Sequence, residues 1–214
     1  MTKVFDANIS CIVRDFLSDN LRDITSVEVA NKRIHAVSGI MSFFGDDEYV
    51  QLLKETISIS NTMLEEPDRI AYGDFQTNTY FANQVALHLK AKNISPELVI
   101  EPTCGKGNFI ISSLRNFSKV KKIFGIEIYG PYVWETKFNI INFFLENSYS
   151  EKPDISIVHS NVFDFDFDEI AKQHSTKDIL ILGNPPWVTN SKLGSLNSTN
   201  LPKKTSFKNH SGLD

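Results

Sequence analysis

Apolar residues follow two different rhythms along this chain. From Thr2 to about Glu66 they recur at helical spacing: Val4, Ile9, Ile12, Val13, Phe16 and Leu17, then Ile34, Val37, Ile40, Met41, Phe43 and Phe44, then Val50, Leu52, Leu53 and Ile57. That spacing gathers apolar side chains on one side of a helix and predicts a region of about three helices over 1–66. Gly45 ahead of Asp46-Asp47-Glu48 reads as one helix ending and another beginning, with carboxylates in the first turn where the helix dipole favours them. His35 lies in an amphipathic stretch and reads as a surface or core histidine.

Past Pro67 the rhythm changes. Short apolar runs, Leu98-Val99-Ile100, Lys122 to Ile128, Asp154 to His159 and Ile179 to Leu182, alternate with amphipathic stretches at about Thr79 to Lys92, Ile110 to Phe117 and Pro131 to Glu146. Runs this short are strands, and the last reads as a buried one. Strand and helix in alternation predict an α/β fold with a parallel sheet. After Trp187 the chain is rich in Ser, Asn, Lys and Gly with little periodicity, so 188–214 reads as a polar loop or tail.

The polar residues worth singling out stand where predicted strands end. Glu101-Pro102-Thr103-Cys104-Gly105-Lys106-Gly107-Asn108-Phe109 is a loop with glycines two apart, between a strand and a helix. Glycines let a ligand approach the backbone, and a helix N-terminus offers unpaired N–H groups. The Gly-x-Gly-x-x-Gly fingerprint is absent, as is Gly-Lys-Ser/Thr, which disfavours a polyphosphate. An acid at the strand end suits an ammonium group instead. Glu127 lies near the end of the second strand and 22 positions after Gly105, close to the spacing of about 20 residues expected of an acid that binds ribose hydroxyls. Asn161 or Asp164, after the third strand, are candidates for an adenine amino group; the segment also reads as a turn into the acidic run Asp164 to Glu169.

The fourth strand delivers Asn184-Pro185-Pro186-Trp187. Two prolines stiffen the turn and end the strand. The Asn184 side chain and the Pro185 carbonyl can together accept both hydrogens of a planar amine, and Trp187 can stack on its ring. Upstream, Asp74-Phe75-Gln76-Thr77-Asn78 precedes an amphipathic helix, with Thr77 or Asn78 as its N-cap.

Composition narrows the picture. The 214 residues carry a net charge of −4 with 41% hydrophobic residues, so the chain can bury a core but has no broadly basic surface for nucleic acid. Cys11 and Cys104 are far apart and show no metal spacing. No basic-then-apolar leader and no run of about 18 apolar residues is present, which predicts a soluble, cytoplasmic protein without a membrane span.

In order and spacing, the three motifs at Asp74–Asn78, Glu101–Phe109 and Asn184–Trp187 resemble those of the S-adenosylmethionine-dependent DNA methyltransferases that modify adenine at its exocyclic amine, in the group whose cofactor motifs precede the catalytic motif. The resemblance implies an incomplete Rossmann-like methyltransferase sheet of about four strands over 67–187. It implies cofactor contacts at Phe75, Thr77, Glu101, Thr103, Gly105, Gly107, Asn108, Glu127, Asn161 and Val162. Thr77 would meet the methionine carboxylate, Glu101 and the glycine loop the amino-acid end, Glu127 the ribose and Asn161 the adenine. Asn184, Pro185, Pro186 and Trp187 would be catalytic, acting on an adenine flipped out of double-stranded DNA. The chain departs from the family pattern at Glu101 and Asn161, where Asp is usual, and at Cys104, which reads as a packing residue. Missing strands and a missing recognition region imply an N-terminal piece of a longer restriction-modification enzyme, completed by a C-terminal part or a partner subunit. The alternatives are a protein-glutamine or RNA methyltransferase, and a non-catalytic subunit that binds the cofactor.

Overall fold

The structure, a computed structural model, describes residues 9–24, 26–58, 76–174 and 178–185. The four apolar runs form β1 (Leu98–Glu101), β2 (Lys122–Glu127), β3 (Asp154–His159) and β4 (Ile179–Ile181), all parallel in the order β3-β2-β1-β4. Parallel strands bring every carboxyl end to one edge of the sheet. From β1 the chain steps outward to β2 and β3, then returns to the other side of β1. Ligands of open α/β sheets bind where strand order reverses in this way, here between β1 and β4.

Helix α4 (Thr79–Ala91) is capped by the Asn78 side chain, which accepts the Tyr80 N–H at 2.8 Å. It packs on α5 (Asn108–Asn116), while α6 (Gly130–Glu146) carries the chain from β2 to β3. Between β3 and β4 lies α7 (Phe167–Gln173), which the sequence pattern hides inside an acidic run. Asp166 caps it by accepting the Glu169 N–H, and Ile170 anchors it against Ile100, Phe124 and Ile126. A single apolar face carried by a few residues is too short a signal for periodicity to detect.

The N-terminal region folds as α1 (Cys11–Leu21), α2 (Val27–Ser38) and α3 (Asp47–Ser58). Helices α1 and α2 pack on α6 while α3 packs on α1 and α2, and Val13, Leu17, Ile34, Phe43 and Phe44 share one core with Trp134, Phe138 and Ile141. This explains why α6 is buried on nearly every side: one side faces the sheet and another faces these helices. Lys137 of α6 is buried there. Its ammonium donates to the Phe43 carbonyl at 2.6 Å and stands 4.6 Å from the Trp134 ring centroid, and burial lowers its pKa to about 8.

Two elements differ from their sequence reading. Helix α2 ends at Ser38, not near Gly45, because Gly39 turns into the left-handed region at φ 71° and its N–H closes on the His35 carbonyl. A side chain at Gly39 would run into the Pro153 carbonyl. The segment beyond then bridges to the outer edge of β3: Ile155 N–H donates to Gly39 O and Met41 N–H to Ile155 O. Ile40, Phe43 and Phe44 keep helical spacing yet are buried from a loop. The second difference is β4, read as a buried strand. Ile179 is 40% and Ile181 63% exposed, because β4 pairs only with β1 and is the edge of the described sheet.

The described residues up to Ser58 and from Thr77 to Asn184 form one compact unit; Gln76 and Pro185 are the described residues of a second. Among the described residues no helix is long and apolar enough to cross a membrane.

Candidate active site

The loop after β1 is a folded object in its own right. Gly105 and Gly107 sit at φ 52° and 80°, left-handed conformations that favour glycine. Their effect is to turn the chain tightly from β1 into α5, whose first residue is Asn108. Cys104 N–H donates to the Ile126 carbonyl at 2.8 Å, which stitches the loop to β2. Burial, then the Glu101 and Glu127 carboxylates, push the Cys104 thiol well above its ordinary range, consistent with a packing residue.

Two acids flank this loop. Glu127, at the end of β2, accepts the Gly105 N–H on one carboxylate oxygen and the Tyr129 N–H on the other, both at 2.8 Å. One side chain therefore fixes both the β1 loop and the turn into α6. Glu101, at the end of β1, is buried, and its carboxylate accepts the Ile110 N–H in the first turn of α5 at 3.0 Å. Burial is the main reason its pKa lies well above that of a free carboxylate; the Ile110 bond opposes the shift and the nearby Glu127 adds to it.

The remaining sequence candidates fall around this centre. The Asn108 amide donates to the Thr77 carbonyl at 2.7 Å and its oxygen accepts from Thr79 at 3.2 Å, so it joins the starts of α4 and α5. Thr103 donates to the Asn184 carbonyl at 3.4 Å, and a side chain built at Gly183 would touch Pro102 at 3.4 Å. These contacts lay the exit of β4 against the loop after β1. Asn161 and Val162 are half-buried at the end of β3, where the Asn161 side-chain oxygen accepts the Phe163 N–H at 3.1 Å. Asp164, its alternative, is exposed. Phe75, Pro186 and Trp187 lie outside the described residues.

Several residues at this edge were not singled out by sequence. His159 meets the Ile128 carbonyl at 2.9 Å; a carbonyl can only accept, so this ring nitrogen carries the hydrogen. Ile128 itself is exposed beside Glu127. On α6, Tyr132, Glu135, Thr136 and Asn139 all reach toward the glycine loop. The signal was present in the sequence as polar residues three and four apart within an apolar helix.

With this geometry in view, comparison with known proteins is decisive at one level. Residues 70–213, about two thirds of the chain, match the N-6 DNA methylase family. The chain belongs to that family. A 149-residue stretch is 44% identical to the type II methyltransferase M.NspV of Nostoc sp. (strain ATCC 29411 / PCC 7524), covering 70% of this chain and 29% of that protein. The chain thus spans under a third of the length of this curated relative. Among solved structures, PH1948 of Pyrococcus horikoshii, assigned as an RNA methyltransferase, superposes with a TM-score of 0.41 at 13% identity over 64% of this chain and 62% of its own. A modification subunit assigned to a type I restriction enzyme of Vibrio vulnificus YJ016 gives a TM-score of 0.36 at 17% identity over 67% and 33%. This N-6 DNA methylase family member has an α/β, Rossmann-like methyltransferase architecture, with the glycine loop, Glu101, Glu127 and Asn184 at the carboxyl edge of its parallel sheet.

Proposed function

We propose that this chain carries the cofactor-binding and catalytic part of a cytoplasmic, site-specific DNA methyltransferase that modifies the exocyclic amine of adenine within a restriction-modification system. The observation that carries the reading is the meeting of two motifs at one reversal of strand order. Glu127 and the Gly105–Gly107 loop stand on one side, and the Asn184 backbone is joined to Thr103 on the other. When bound, S-adenosylmethionine supplies a methyl group on a sulfonium that is already a strong donor.

The residues fit that group. A carboxylate offers about four acceptor positions, so bonds to Gly105 and Tyr129 are compatible with Glu127 also taking ribose hydroxyls. Glu101 places an acid beside the start of α5, suited to an ammonium, and the α5 terminus together with Thr77 suits a carboxylate. Exposed Ile128, next to Glu127, and half-buried Val162 offer apolar surface for an adenine ring, with Asn161 for its amino group.

The chemistry at the other motif concerns geometry rather than acid or base strength. An adenine amine is a weak nucleophile because its lone pair is delocalised into the ring. The Asn184 side chain and the Pro185 carbonyl accept its two hydrogens, draw the nitrogen toward tetrahedral geometry and localise that lone pair. Trp187 stacks on the flipped base. The net charge of −4 argues that DNA recognition comes from basic surface elsewhere in the enzyme or from a partner subunit.

Calorimetric titration with S-adenosylmethionine tests the division of roles. Glu127→Ala is expected to weaken binding about 100-fold, the loss of two hydrogen bonds to a charged group. Asn184→Ala is expected to bind like wild type and to lose about 100-fold or more in methyl transfer to duplex DNA by the natural gene product. Equal weakening by both variants would overturn the division. Absence of binding by the wild-type protein would overturn the reading.

A further inference from the structure

Helix α6 packs against the glycine loop that Glu127 holds through the Gly105 N–H. At positions 132, 135, 136 and 139 it presents one stripe, since residues three, four and seven apart share a face. Thr136, fully buried, donates its hydroxyl to the Gly105 carbonyl at 2.6 Å. The Asn139 amide donates to the Lys106 carbonyl at 2.9 Å. Glu135, also buried, pairs with the Lys106 ammonium at 3.1 Å, and that ammonium stands 5.2 Å from the Tyr132 ring centroid.

Two consecutive carbonyls and the one charged side chain of the loop are thus held by a single helix face. Glu127 holds the N–H of Gly105 while Thr136 holds its carbonyl. Gly107 completes the fit: a β-carbon there would stand 2.8 Å from the Thr136 methyl. A loop with two left-handed residues has many alternative shapes open to it, and ordering any loop on ligand binding costs free energy. A loop already ordered in the free protein avoids that cost.

We propose that Thr136, Glu135 and Asn139 are positioning residues that hold the Cys104–Gly107 loop in its ligand-ready shape before the cofactor arrives, and thereby set cofactor affinity without touching the cofactor. The inference rests on S-adenosylmethionine being the ligand. The salt bridge has a second consequence for such a ligand: with its ammonium paired to Glu135, Lys106 presents less repulsion to a cationic sulfonium.

The test compares wild type, Thr136→Val and Thr136→Ser. Valine keeps the methyl packing and shape but removes the hydroxyl; serine keeps the hydroxyl. Amide hydrogen exchange at Gly105 and Gly107 is measured without ligand, S-adenosylmethionine affinity by calorimetry, and folding by thermal melting. The expected result is about tenfold faster exchange and about tenfold weaker binding in Thr136→Val, with Thr136→Ser within about threefold of wild type in both. Unchanged exchange or affinity in Thr136→Val, at a melting temperature near wild type, would overturn the proposal. Equal loss in both variants would also overturn it, since the hydroxyl that serine retains would then not be what holds the loop. Should wild type bind no S-adenosylmethionine, the functional reading and this inference fail together, whereas wild-type binding with an unaffected Thr136→Val fails the inference alone.

Discussion

At the carboxyl end of β2, both oxygens of Glu127 are held by backbone N–H groups, and the loop that one of them bonds is also held by α6. Two strands across the sheet, β4 is three residues long, its outer isoleucines are exposed, and the polypeptide leaves it at Asn184 toward the paired prolines. Both are ends of parallel strands in one sheet, yet one is over-determined and the other, among the described residues, hangs from a single neighbour. The difference follows from position. β2 has hydrogen-bonded strands on both sides and helices over it, so its end residue can be fixed from several directions. β4 pairs only with β1 among the described residues, so its direction is set by that register and by the Thr103 bond to the Asn184 carbonyl. On the function proposed above, a site built this way has a rigid half that would recognise the cofactor and a half whose precision depends on what else covers it.

The comparison breaks most readily at Gly107. Gly107→Ala adds a β-carbon against Thr136 at φ 80°, and we expect a loss of about 2–3 kcal/mol in stability, read by chemical denaturation, with S-adenosylmethionine binding weakened by about 100-fold. A variant that binds like wild type would show that the loop is softer than its hydrogen bonds suggest.

Glu101 sharpens it. Its buried carboxyl has a pKa raised by desolvation, so the folded protein keeps the proton to higher pH than the unfolded chain does. Between those two values the native state binds more protons, so stability falls as pH rises through the window; the contribution is complete below the ordinary carboxylate range. Glu101→Gln should remove this slope and raise the neutral-pH melting temperature by about 2–4 °C, roughly 1 kcal/mol. The same variant should bind S-adenosylmethionine about tenfold more weakly, having lost the charge that suits an ammonium. Stability gained while affinity is lost would mark Glu101 as a residue held for binding at the expense of the fold.

The smallest effect is expected at the edge strand. Ile181→Ser on the exposed side of β4 should change stability by less than about 0.5 kcal/mol, measured by denaturation, and leave cofactor affinity unchanged. A loss of core size would show that this edge is covered in solution and that the contrast drawn above is false.

Several outcomes separate what is written in the sequence from what is not. The α/β order, the four strands and the three N-terminal helices were legible because each rests on local periodicity, and periodicity survives folding. The glycine loop and the acids at strand ends were legible too, since turns and strand ends constrain residue type directly. Helix α7 escaped because its apolar face is small, and the end of α2 was misplaced because Phe43 and Phe44 are apolar for tertiary reasons. The same logic applies to the site. Sequence named Gly105 and Glu127 separately; their hydrogen bond exists only because β1 and β2 are neighbours in register. Thr136 and Asn139 look like ordinary helix residues until α6 is folded against the loop. Local chemistry determines which residues can serve a methyltransferase site, whereas strand order decides which of them meet. Strand pairing and helix packing join residues far apart in the chain, and no local pattern encodes those distances.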